Sequence, residues 1–111
     1  WGEAGPLELN VADAAHRSHA VTSVRVGSAK GTELREWVEA RAGLTLGIGL
    51  GMAPPGSPEW NHFFRIGHMG HVNAQMVLGA LATIGAGMIA VGIEHARGGV
   101  DAAAAVVAGA A

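Results

Sequence analysis

With 111 residues and a formal net charge of −2, the chain has room for one domain built on a single modest core. Its seven cations stand singly between Arg17 and Arg97, which leaves no basic stripe for a nucleic-acid backbone. The absence of cysteine excludes disulfides, thiolate metal ligands and cysteine nucleophiles. Glycine is abundant, at 18 residues, but has no three-residue period, and half of the chain is hydrophobic, so neither a collagen helix nor a disordered segment is expected.

Residues 1–19 contain Gly2, Gly5, Pro6 and the polar run His16-Arg17-Ser18-His19, show no sustained period, and read as an irregular lead-in. No basic stretch followed by an apolar run marks a signal peptide, and a cysteine-free composition fits a reducing compartment, so the cytoplasm is the expected location. The domain proper is expected over residues 20–111. In Ala20–Val26 the β-branched residues Thr22, Val24 and Val26 fall on one face and Ser23 and Arg25 on the other, which is strand periodicity.

After the Gly27–Gly31 turn, Thr32 is the expected N-cap of an amphipathic helix. Glu33 and Glu36 suit the positive end of its dipole, Leu34, Trp37 and Val38 share a face, and Gly43 stands where the helix should stop. Leu44, Leu46, Ile48 and Leu50 alternate with Thr45, Gly47 and Gly49, predicting a second strand with one apolar face and one nearly bare. The prolines at 54, 55 and 58 make a loop. A third strand then runs through F-F-R-I-G, with Phe64 and Ile66 projecting one way and Arg65 the other.

From Met76 to Ile93 there are 18 residues without a charge, about the minimum for a membrane span. Half of them are Gly, Ala or Thr, so a buried helix capped by Asn73 is preferred, with Val77, Leu81, Ile84, Met88 and Val91 along one stripe. Gly98-Gly99 break the chain before a last alanine-rich helix that begins near Asp101 and ends near Gly109. The order of elements predicts an α+β layer pair: a small antiparallel or mixed three-stranded sheet with helices on one face. The uncovered face should carry Arg65, Gly47 and Gly49.

Among candidate site residues, His62, His68 and His71 lack a neighbouring acid or a recognised zinc spacing, so no metal site is expected. No G-x-S-x-G elbow exists, and the third glycine of a dinucleotide loop would fall on Met52. Arg65 remains. It can be a strand arginine with a surface partner, or a planar fork of donors on a rigid platform, suited to a carboxylate.

The stretches F-R-I-G-H-M-G-H from Phe64 to His71, M-V-L-G-A-L-A-T-I from Met76 to Ile84 and R-G-G-V-D-A-A from Arg97 to Ala103 resemble the C-terminal part of class V pyridoxal-phosphate aminotransferases. The similarity runs from Val21 onward and is greatest to the alanine-glyoxylate and serine-pyruvate branch, with the pyridoxamine-pyruvate type nearby. It implies the small domain of a homodimeric enzyme, a sheet with helices on its outer face leaning over a large domain that binds pyridoxal 5'-phosphate. It also implies that Arg65, in the R-I-G-H motif, binds the α-carboxylate of a small amino acid or 2-oxo acid, with no role for nucleic acid or membrane. Lys30, the only lysine, does not match the family's cofactor lysine. The chain is therefore expected to be a fragment that is inactive alone. The other reading is a non-enzymatic packing or membrane-associated helical domain.

Overall fold

β-branched residues and strict alternation make Val21–Arg25 a strand, β2, and a second apolar stretch pairs with it antiparallel as β3, Phe63–Gly67. The ladder runs from Val21 opposite Gly67 to Arg25 opposite Phe63. These strands belong to a computed structural model that describes residues 1–49 and 52–110. A two-residue strand, β1 (Glu8–Leu9), adds to the other edge of β2, with Glu8 opposite Arg25 and Leu9 opposite Val24, giving the sheet order β1-β2-β3.

Three helices complete an α+β fold: α1 (Lys30–Ala42), α2 (Ala74–Val91) and α3 (Gly99–Val107). α1 packs on β3 and on α2, and α2 in turn on α3. Their shared core takes Val24 and Val26 from the β2 region and Phe64 from β3. It adds Leu34 and Val38 from α1, and Ile84 and Met88 from α2. Phe64, Leu34, Ile84 and Met88 are fully buried, and each such side chain contributes about 1.5–3 kcal/mol by leaving water. Among the described residues no polar or charged side chain is buried.

The lead-in is more ordered than its composition suggests. It carries β1, short 3-10 turns at Gly2–Ala4 and Ala14–His16, and Leu7, which is buried in the core. The backbone N–H of Ala96 donates to Trp1 O at 2.9 Å, and the Trp1 indole lies against Gly99 at the start of α3.

The segment expected as a second strand is corrected. Over its described part it makes a single antiparallel bridge, Gly47 opposite Arg65, and Leu50 and Gly51 lie outside the described residues. The Ile48 carbonyl accepts from the Arg65 side chain, and glycines offer little strand preference of their own.

α1 also begins earlier than expected, at Lys30, where the Ser28 hydroxyl accepts the Lys30 backbone N–H at 3.4 Å. Thr32 is not its cap: its hydroxyl donates to Asn61 Oδ1 at 2.6 Å and accepts from Arg35 Nη2 at 2.7 Å. Gly43 does end the helix, in the left-handed region at φ 68°, where a side chain would be strained. Asn73 caps α2 by accepting the Met76 N–H at 2.9 Å. Lys30 reaches the far end of that helix, donating from Nζ to Gly92 O at 2.8 Å.

α2 is buried along one stripe only. Ile84, Gly87 and Met88 are enclosed, whereas Met76 and Ile89 are exposed. It is the one helix among the described residues long and apolar enough to cross a membrane.

Candidate functional site

Alternation along β3 separates two chemistries. Phe64 enters the core, and Arg65, the next residue, projects from the face opposite the helices, beside its ladder partner Ser23. The guanidinium is half-buried and anchored at one point, with Nε donating to Ile48 O. Among the described residues its terminal nitrogens have no carboxylate partner.

The bare side of residues 45–49 makes this placement possible. Gly47 pairs with Arg65 through both backbone bonds, at 2.8 and 2.9 Å, and a Cβ there would stand 3.1 Å from the Arg65 Cβ and Nε. Gly49 lies as closely over Phe63, where a Cβ would come within 2.8 Å of the Phe63 Cβ. The glycines let this backbone settle on the open face and hold the side chain of Arg65 in place.

Arg65 lines a cavity of about 330 Å³ with Ser23, Met52, Ser18, His16 and Arg17, a size that suits a small molecule. The Ser23 hydroxyl donates to Met52 Sδ at 3.4 Å, a weak bond readily exchanged for a stronger acceptor. The Ser18 hydroxyl oxygen accepts the N–H groups of Ala20 and Val21, leaving its own O–H to donate elsewhere. Arg17 is fastened to its own loop, with Nε donating to Val11 O and Nη2 to Ala12 O, both at 2.9 Å. Among the described residues no carboxylate lines the cavity.

Of the residues singled out in sequence, only Arg65 stands here. His62 and His68 sit beyond opposite ends of β3, about 20 Å of strand apart by the usual rise per residue. His62 serves through its backbone carbonyl, which accepts from Val26 N at 2.7 Å, and His68 Nε2 pairs with the Thr22 hydroxyl at 2.9 Å. His71 is exposed. Among the described residues no three His, Cys, Asp or Glu side chains gather as a metal site. Arg17, Ser18, Ser23 and Met52 were not foreseen. The one signal in the sequence was the polar run at 16–19, which had no periodicity to give it a direction.

The residues here do not fit pyridoxal phosphate. The cofactor needs an amine for its aldehyde, and Lys30 lines no part of the Arg65 cavity and is bound to the carbonyl that ends α2. The arrangement can bind an anion and orient it, with the Ser18 and Ser23 hydroxyls and the His16 imidazole on the same lining. Compared with known proteins, the chain matches no family model, and no curated protein matches it.

Proposed function

We propose that this chain is the substrate-carboxylate-binding small domain of a class V pyridoxal-phosphate aminotransferase. That enzyme would move an amino group between a small amino acid such as alanine or serine and a 2-oxo acid such as glyoxylate or pyruvate. The observation that carries the reading is Arg65, which stands on the helix-free face with its Nε anchored to backbone and its terminal nitrogens without a carboxylate partner among the described residues. A guanidinium held in this way presents a fork matched to a carboxylate. The cofactor would be held by residues outside this chain and would supply the carbanion chemistry, while Arg65 fixes the orientation of the amino acid.

The test is half-reaction kinetics of the full-length enzyme with alanine or serine, comparing wild type with Arg65→Lys and Arg65→Ala. Hydrogen bonds to charged groups contribute about 1.5–3 kcal/mol, so the alanine variant should bind amino acid about 10- to 100-fold more weakly. The lysine variant, which keeps the charge and loses the fork, should fall between. Cofactor content should not change. Equal substrate binding in all three proteins would mean that Arg65 is only a strand surface residue.

The exposed apolar side of α2 favours a second reading, a helical packing or membrane-associated domain. The two part on solubility, since a membrane-bound chain would need detergent and the small domain would dissolve in buffer.

A further inference from the structure

Two arginines from distant parts of the chain line one cavity. Arg65 comes from β3 and Arg17 from the loop before β2. Each is held by backbone carbonyls, Arg65 by Ile48 and Arg17 by Val11 and Ala12. A carbonyl orients a guanidinium without neutralising it. The contrast lies at the other end of β2, where Arg25 has its charge met by Glu8 at 3.0 Å. Both arginines line the cavity with two serines and, among the described residues, no acid. The nearby Asp13 carboxylate accepts the Ala15 N–H at 2.9 Å and forms no ion pair with either arginine among the described residues.

From this we infer that the cavity takes a ligand with two anionic groups, a small dicarboxylate, with one carboxylate on Arg65 and the second on Arg17. The inference rests on the carboxylate-binding role proposed for Arg65 and extends its substrate class beyond alanine and serine to amino or oxo acids with a second carboxylate. Arg17 is then a specificity residue. Its two backbone bonds set the loop of residues 11–17 and leave Nη1 for the ligand. Ser23 can release the Met52 thioether and donate to the same anion.

The experiment titrates the 111-residue chain with succinate and, separately, with propionate at low salt, following the backbone amides of residues 17, 23 and 65 by NMR. Succinate should bind about 2- to 5-fold more tightly than propionate, the upper part of the range for one added, solvent-exposed ion pair. Arg17→Gln should bring the ratio close to one while propionate binding holds, and Arg17→Lys should restore part of it. Arg97→Gln, which removes a charge away from this cavity, should leave the ratio alone and so separates a local contact from net charge. The proposal is overturned if Arg17→Gln leaves the ratio unchanged, if Arg97→Gln lowers it equally, or if the two ligands bind alike in the wild type. Failure of the Arg65 reading looks different: Arg65→Gln would then leave propionate binding intact. Loss of both ligands together in Arg17→Gln, not recovered in Arg17→Lys, would assign Arg17 to loop structure alone.

Discussion

The two faces of β3 are one residue apart in sequence and opposite in physics. On the helix side, Phe64 is enclosed by α1 and α2 among side chains that are all apolar. On the other, Arg65 and Ser23 line a cavity with mostly apolar walls, Leu9, Val11 and Val21 among them, that carries a few polar groups. The first face stabilises the domain through close packing, where every methylene counts. The second adds little to stability and depends on a few oriented donors. Substitutions on one face should therefore move unfolding, and on the other, binding.

The largest effect is expected from Phe64→Ala, which would leave a cavity at the centre of the core. A loss of about 3–5 kcal/mol should appear in urea unfolding, a large share of what a domain this size possesses. A variant that unfolds at the wild-type urea concentration would show that the helix face does not hold the domain together.

Gly87→Val comes next. Gly87 is where α2 meets α1, and a Cβ there would lie 2.7 Å from Leu34 Cδ1 and 2.8 Å from Val38 Cγ1. Overpacking of this kind costs about 1–3 kcal/mol, more than a better helix former returns, so thermal unfolding should shift down with ligand binding retained. Gly79→Val on the same helix, where a Cβ meets open space, is the control.

The smallest change in stability, and the one that sharpens the contrast, is Gly47→Ala. Its methyl would press on the Arg65 Cβ and Nε from 3.1 Å. Unfolding should stay within about 1 kcal/mol of wild type, as for most changes outside a packed core, while propionate affinity falls by less than in Arg65→Ala. Unchanged affinity in a direct titration would show that the close approach of Gly47 does not set the guanidinium position.

Where side chains repeat with a period, the fold could be read from the sequence. The strands β2 and β3, the stop at Gly43 and the Asn73 cap each follow from a local rule and are found. The Arg65 side of β3 is less open than alternation implies, because Phe63 is buried beneath Gly49 while Ile66 is only partly buried. What escaped was decided by distant contacts. Glu8–Leu9 is too short to show alternation and is a strand only because β2 offers an edge. Leu44–Leu50 alternates well, yet over its described part makes one bridge, because its glycine side lies against Arg65 and Phe63 rather than continuing a ladder. Thr32 had the right chemistry for a cap, but Asn61 and Arg35 claim its hydroxyl. The same division holds at the candidate site. Arg65 could be placed on its face by counting along a strand, whereas Arg17 comes from a stretch with no period and meets the cavity only through tertiary structure.

The clasp between Trp1 and the start of α3 adds a kinetic dimension. The bond from Ala96 to Trp1 closes a loop almost as long as the chain itself, and such closures are entropically unfavourable until most other contacts exist. The Trp1 clasp is thus expected to close late in folding, whereas Glu8–Leu9 reach β2 across a much shorter loop. Arg65 rides on the β2–β3 ladder and Arg17 on the segment that joins β1 to β2, so the two sides of the cavity belong to different parts of the sheet. A ligand bridging the two arginines would act as a latch on that segment, slowing amide exchange around β1 far more than in the helices.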